Sequence, residues 1–314
     1  MRAEIAVLGA GVCGLTAAIA LQDKGFRVTL LSAEEPERTT SAVAGATWFP
    51  YKVDPPDRVN HWAQVSRAVF EKLRTDPETG VLLRECHQLW RSPVAREPWW
   101  AEAVGTIGRL ARTELPPGFV DSYVFEQPVI DMRRYLPYLR ERFGAVQRIR
   151  VKSLAEASGH GEVLVNCSGL AAGRLAGDLG VYPIRGQVVR VRNPGIDRVL
   201  ADFDNPEGEA YIIPQPDSCI LGGTTDSAEW SLTERAAEAD RIVARCAGLD
   251  PRVAEAERLE ARLGLRPARA GGVRLESQRL ANGRLCVHNY GHGGAGVTLS
   301  WGCAEEIAEI LEQS

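Results

Sequence analysis

The chain of 314 residues predicts an α/β fold in which a Rossmann-like, dinucleotide-binding domain is interleaved with an α+β domain built on an antiparallel sheet. Three stretches predict it. At the N-terminus, Ile5-Ala-Val-Leu8, Gly9-Ala-Gly11-Val-Cys-Gly14 and Leu15-Thr-Ala-Ala-Ile-Ala-Leu21 read as strand, tight turn and helix. In the middle, Arg185-Gly-Gln-Val-Val-Arg-Val191 alternates as a half-exposed strand does, and Tyr211-Ile-Ile-Pro214 and Ser218-Cys-Ile-Leu221 bracket a turn at Pro216-Asp217. Near the C-terminus, Gly291-His-Gly-Gly-Ala-Gly296 is a second glycine-rich turn running into a helix.

Each glycine of the first turn has a physical task. Gly9 lets the strand turn sharply, Gly11 admits backbone amides to a pyrophosphate, and Gly14 lets the helix approach the sheet. The helix then presents free N–H groups and the positive end of its dipole to the phosphates. Gly25 ends that helix, and Arg27-Val-Thr-Leu-Leu31 is the second, buried parallel strand. The acidic residue that ordinarily ends this strand and holds the adenosine ribose is absent: Ser32 stands there, with Glu34 and Glu35 close behind. Either a later carboxylate or Ser32 takes the ribose.

Hydroxyls and glycine in Thr39-Thr-Ser41 and Gly45-Ala46 suit backbone lying against a ligand, and equally a surface loop. Pro55-Pro-Asp57 opens a helix with an inward stripe of Trp62, Val65, Ser66, Val69, Phe70 and Leu73. Residues 76–130 read as strands and loops, with Trp99-Trp100 as a lid or as plain hydrophobic cover. A helix starts at Asp131 and carries Tyr135, Leu136, Leu139 and Phe143; it tolerates Pro137 only near its first turn. Val163-Leu-Val-Asn-Cys-Ser-Gly169 is a buried strand ending in a small-residue turn, where ligands sit in doubly wound sheets. Ser231-x-x-Glu234 reads as a capping box for a helix reaching Cys246. The last helix turns Val297, Trp301, Ala304, Ala308 and Leu311 inward.

Composition excludes several function classes. Lys plus Arg total 37 against 41 Asp plus Glu, a net charge of −4 without a basic run, which argues against nucleic acid as a main partner. No apolar stretch approaches the roughly 18 residues of a membrane span, and Met1 leads into the first strand without a signal peptide, so the expected location is cytoplasmic. Cys13, Cys86, Cys167, Cys219, Cys246, Cys286 and Cys303 form no CxxC pair and read as buried hydrophobes of a reducing compartment. His288 and His292 have helical metal-pair spacing, but the glycines around His292 oppose a helix, and no metal is expected.

Along nearly the whole chain the motifs occur in one familiar order. They are the N-terminal fingerprint, Ala44-Gly45 with Trp48 and Pro50-Tyr51, Val165-Asn-Cys-Ser-Gly169, Arg185-Gly-Gln187, Tyr211-Ile-Ile-Pro214, Leu221-Gly-Gly223, Leu265-Arg-Pro267, His288-Asn-Tyr-Gly-His-Gly-Gly294 and Trp301-Gly-Cys303. The chain resembles the D-amino-acid oxidase family. The resemblance implies non-covalent FAD and oxidation of a D-amino acid, by hydride transfer from Cα to flavin N5, to an imino acid that hydrolyses to a 2-oxo acid and ammonia. Oxygen then reoxidises the flavin and gives hydrogen peroxide. It further implies that Arg266 and Tyr211 are the catalytic pair, Arg266 bidentate on the substrate carboxylate and Tyr211 donating its hydroxyl to it. Gly294, Phe49 and Ile213 join them in binding substrate, the last two as an apolar side-chain pocket. Taken from its own sequence alone, Arg266 reads equally as a surface residue or structural ion pair, and Tyr211 as a packed strand residue.

The cofactor set expected on this basis is Gly9, Ala10, Gly11, Val12, Cys13 and Gly14; Thr39, Thr40, Ser41, Gly45 and Ala46; Val151, Ser168 and Gly169; and Gly293, Gly294, Ala295, Gly296, Val297 and Thr298. The final helix and its turn are expected to aim N–H groups at the flavin pyrimidine end, where negative charge develops on reduction. The expected FAD-binding domain comprises residues 1–50, 131–184 and 262–314, and the substrate-binding domain 51–130 and 185–261. Three positions depart from the family pattern. Glu207 stands where mammalian members carry a lid tyrosine, Thr224-Thr225 stand where D-aspartate oxidases add an arginine, and the end at Ser314 lacks a peroxisomal Ser-Lys-Leu. A neutral substrate is therefore expected over an acidic one. D-aspartate oxidation, a glycine or sarcosine oxidase, and a non-catalytic dinucleotide binder are the alternatives, and a homodimer remains compatible with the pattern.

Overall fold

The structure is a computed structural model that describes residues 3–50 and 53–313. In chain order its elements are β1 (Glu4–Leu8), α1 (Val12–Asp23), β2 (Arg27–Ser32), α2 (Pro56–Leu73), β3 (Val81–Trp90), α3 (Ala101–Val104), β4 (Asp121–Ile130), α4 (Met132–Phe143), β5 (Val146–Arg148), α5 (Leu154–Ala157) and β6 (Val163–Asn166). There follow α6 (Ala171–Leu175), β7 (Val181–Arg192), β8 (Val199–Asp202), β9 (Ala210–Pro214), β10 (Ser218–Gly222), β11 (Asp226–Ser227), α7 (Ala236–Ala247), β12 (Arg258–Arg269), β13 (Arg274–Arg279), β14 (Leu285–Tyr290) and α8 (Gly296–Glu312).

Two sheets carry the fold, as the sequence predicts. The first is six-stranded, in the order β13-β14-β6-β1-β2-β5, parallel from β14 to β5. Its central strand β1 is apolar and buried from Ile5 to Leu8, because helices cover it. α1 packs against α4 and α8, and α2 lies against α8. Trp301 Nε1 donates to Tyr135 Oη at 2.7 Å, joining α8 to α4, and Trp62 Nε1 donates to Glu306 at 2.6 Å, joining α2 to α8. Each indole is buried with its single donor satisfied, so these bonds fix helix positions inside an otherwise apolar layer.

The second sheet is eight-stranded, in the order β11-β7-β10-β9-β8-β3-β4, with β12 also paired to β7. Its pairs are antiparallel except β3 with β8. Arg266 therefore belongs to a strand of this sheet, opposite Ile184. One face of the sheet packs on α7; the other meets the loops at the carboxyl ends of β1, β2 and β6.

Two elements differ from expectation. The helix expected from the Ser231-x-x-Glu234 box begins at Ala236 instead. Buried Arg185 takes the carbonyls of Ser231 and Thr233 at 2.9 and 2.8 Å, and Gln187 takes that of Arg235 at 2.9 Å. Arg235 N in turn donates to Gln187 Oε1 at 3.2 Å, so the N–H that would close a first turn onto Ser231 is already taken, and residues 231–235 stay outside the helix. Pro137 lies in the second turn of α4, deeper than expected. That helix starts at Met132 with Asp131 as its cap, Oδ1 accepting from Arg133 N at 3.0 Å, and the burial of Tyr135, Leu136, Leu139 and Phe143 outweighs the missing donor.

Candidate active site

A cavity of about 530 Å³ runs between the two sheets. At one end the β1–α1 turn forms a phosphate cradle. Gly9 has φ +110°, and a Cβ at Gly14 would stand 1.8 Å from the Gly9 carbonyl oxygen, so neither position accepts a side chain. α1 has no side-chain cap and no acidic residue in its first turn, leaving its positive end to a ligand. Ser41 Oγ accepts from Val12 N at 3.0 Å and so ties the loop after β2 to this turn.

The ribose question narrows here. Ser32 and Glu34 both reach the cavity and Glu35 does not. Glu35 pairs with Arg148 at 2.6 Å, a hydrogen bond that holds its carboxyl below the usual range. Ser32 Oγ donates to the Glu34 carbonyl at 2.7 Å, and the Glu34 carboxylate meets Arg150 at 2.7 Å.

At the other end lie Tyr211 and Arg266, brought together from β9 and β12. Their beds are glycines. A Cβ at Gly222, the cross-strand partner of Tyr211, would stand 1.9 Å from the tyrosine ring. A Cβ at Gly186 would stand 2.4 Å from the Arg266 guanidinium. Arg266 Nη1 donates to the Thr224 carbonyl at 3.0 Å, leaving most of its donors for another partner. Burial raises the Tyr211 phenol, opposed by the positive charge of Arg266, so its hydroxyl stays a neutral donor. A planar cation beside a phenolic donor in an apolar cleft is suited to one carboxylate.

Phe49 and Ile213 line the same cavity. Phe49 stacks on Phe203 with centroids 5.9 Å apart and meets Trp100 edge-on at 5.0 Å. Trp100 is thus part of a packed aromatic wall, whereas Trp99 is exposed. Thr298 Oγ1 bonds both the N–H and the carbonyl of Phe49, fixing that wall to α8. At Glu207, the expected lid position, the chain is a short turn pinned by Arg245, which donates to the carbonyls of Glu207 and Gly223, each at 3.2 Å.

Of the expected cofactor residues, all but Gly14, Ala295 and Thr298 line the cavity. Tyr51, the end of the Trp48 motif, lies outside the described residues. α8 has no side-chain cap and no acidic first turn, and Gly296 and Val297 bring its N-terminus to the wall. Both His288 and His292 are buried, which lowers each to about 4, and both are held as neutral rings, by Gln278 and Asn289, each at 3.0 Å. The sequence reading missed Gln88, Gln127, Phe125, Ala201 and Phe203, all in the cavity wall. Four of them lie on strands, where the local signal is alternation, which does not say what a face looks at, and Phe203 follows β8 directly.

The glycine cradle, the two uncapped helix ends and the length of the cleft fit FAD: the first turn would hold its pyrophosphate and the α8 end its electron-rich ring. The match to known proteins agrees. The family model described as DAO, FAD dependent oxidoreductase, matches residues 4–310. A D-amino-acid oxidase of Rubrobacter xylanophilus is 49% identical over 98% of this chain and 95% of its own. One from Streptomyces coelicolor is 44% identical over 98% and 96%. Glycine oxidase from Geobacillus kaustophilus shares the fold, with a TM-score of 0.81 at 20% identity over 100% of this chain and 95% of its own. The chain belongs to the FAD dependent oxidoreductase family, and FAD is its cofactor.

Proposed function

We propose that the protein is a D-amino-acid oxidase acting on neutral D-amino acids: with oxygen and water, the substrate gives a 2-oxo acid, ammonia and hydrogen peroxide. The observation that carries this reading is the pairing of Arg266 with Tyr211, each on a glycine bed, at the end of a cleft that begins in a phosphate cradle. Two relatives above 40% identity bearing that name support it. Bound FAD supplies the two-electron acceptor. Arg266 and Tyr211 hold the carboxylate, which fixes Cα in one orientation; positioning is then the main contribution of the chain. The amino group reacts as the free amine, so no side chain acts as a base. Thr224 favours a neutral substrate, since its hydroxyl is used by Gln187 N at 2.9 Å and adds no cation to the cavity.

The reading extends to a cytoplasmic enzyme, alone or as a homodimer, with FAD- and substrate-binding domains interleaved along the chain. The described cysteines are all free, which suits a reducing compartment. Among the described residues no helix is long and apolar enough to cross a membrane.

Anaerobic mixing of the FAD-loaded protein with D-alanine, L-alanine, D-aspartate and sarcosine tests this. D-alanine should bleach the flavin and the other three should not. Arg266→Ala should lower kcat/KM on the order of 100-fold or more, and Arg266→Lys should recover only part of it, because a point charge does not reproduce the bidentate fork. Bleaching by sarcosine in preference to D-alanine would move the enzyme to an amine oxidase.

A further inference from the structure

Both carboxylate anchors reach the cleft on one side of β9. The Tyr211 phenol leans from β9 over Gly222 and Gly223 at the end of β10, and Arg266 leans from β12 over Gly186 on β7. β7 and β10 are neighbours, so the two side chains gather above that pair of strands. On the other side of β9 neither anchor covers the sheet. Ala201 on β8 stands directly opposite Tyr211 and raises only a methyl there. Alternation aims that methyl at the cleft: Val199, Ala201 and Phe203 line the cavity, and Leu200 and Asp202 do not. The floor beside it is apolar, with Val199 opposite Cys86 and Cys86 opposite Phe125, while Gln88 ends the row of Ala201. Phe49 stacks on Phe203 and on Phe125, with centroids 5.9 and 6.5 Å away, and so walls this part of the cleft with rings.

We propose that Ala201 is a specificity-determining residue: its methyl leaves, beside Tyr211, the space that takes a bulky apolar substrate side chain. The inference rests on the oxidase reading above. A carboxylate held above β7 and β10 leaves the surface across β9 to the side chain, which would lie over Ala201 and run toward Cys86 and Phe125. Two strand spacings, about 10 Å, separate β9 from β3, enough for a benzyl group or a four-carbon chain. A methyl side chain would leave that apolar surface without contacts, and such a pocket discriminates about tenfold or more for each methylene that it holds well. A larger residue at 201 would fill the space from the floor, while the glycine beds of both anchors lie on the opposite side of β9.

Anaerobic flavin reduction in the FAD-loaded protein tests this, with D-alanine, D-2-aminobutyrate, D-norvaline, D-norleucine and D-phenylalanine as substrates. The second-order reduction rate should rise along the straight-chain series, and D-phenylalanine should exceed D-alanine by about tenfold or more. In Ala201→Leu the ratio of D-phenylalanine to D-alanine should fall by about tenfold or more, and in Ala201→Val by less. An unchanged ratio in a variant that keeps its flavin overturns the assignment of Ala201. Should neither variant load FAD, the parent series decides: a rate that is flat or falling beyond D-2-aminobutyrate overturns the pocket, and one that rises to D-norleucine supports it. If D-alanine bleaches the flavin as fast as the larger substrates do, the pocket falls and the oxidase stands. If none of the five bleaches it, both readings fall.

Discussion

Gly222 and Gly186 decide where the Tyr211 and Arg266 side chains rest. Each removes a Cβ that would otherwise occupy the space of the Tyr211 ring or the Arg266 guanidinium. Adding that carbon back has a defined consequence. Gly222→Ala and Gly186→Ala should each lower kcat/KM by roughly 100-fold, because displacing an anchor by about an ångström spoils the reacting geometry. Flavin content should be unchanged, since neither glycine touches the phosphate cradle; steady-state kinetics beside the flavin-to-protein absorbance ratio would check it. Both glycines are visible in the sequence as the centres of Arg185-Gly-Gln187 and Leu221-Gly-Gly223. Their use is not, because it depends on Gly222 meeting Tyr211 across β9 and β10 and on Arg266 leaning over from β12.

Two helices begin at the cavity without side-chain caps, and their freedom is what makes them useful. An uncapped N-terminus is a cost unless an anion or a developing charge takes the cap's place. For α1 this arrangement depends on its turn. Gly14→Val would drive a branched side chain into the Gly9 carbonyl, forcing the turn open. The variant should purify with at least about tenfold weaker FAD retention, in line with ~1–3 kcal/mol for overpacking, as read by flavin fluorescence on dilution; retention equal to that of the parent would show that the turn does not set the affinity. α7 teaches the converse. A sound capping box at Ser231 loses to Arg185 and Gln187, which hold the Ser231 and Thr233 carbonyls and the Arg235 N–H in the core.

The molecule as a whole is stitched at the glycine-rich end by neutral histidines. His288 links β14 to β6 through Asn166 at 3.2 Å and to β13 through Gln278, and His292 stands between Cys13 and Cys303, tying the last turn to α1 and α8. Burial holds both at about 4, below the ordinary 6.5. The unfolded chain therefore binds more protons than the folded one within that window. Their contribution to stability is complete above pH 6.5 and is lost as pH falls toward 4, by up to about 1.4 kcal/mol per pH unit for each ring. Melting temperature should hold from pH 8 to 7 and decline from about pH 6 downward. A level profile down to pH 5 would mean that the rings are protonated in the fold.

The sequence by itself determined the parallel βαβ start, the buried strand ending at Asn166, the closing helix and the glycine-rich turns that reach the cleft, because these are written in short-range patterns: a strand's apolar run, a turn's glycines, a helix's stripe. It also named Arg266 and Tyr211, though only through the order of motifs, since neither residue is unusual where it stands. What only the tertiary structure decided is what faces the cleft across strands. Gln88 lies more than a hundred residues of chain before Ala201 and Tyr211, and the three meet in one row by register alone. Ser32 and Glu34 line the cleft while Glu35 turns away to Arg148, a choice made by Arg148 and Arg150 arriving from beyond α4. Side-chain alternation is local, but the partner across a sheet is not, and the make-up of the cleft wall rests on the partner.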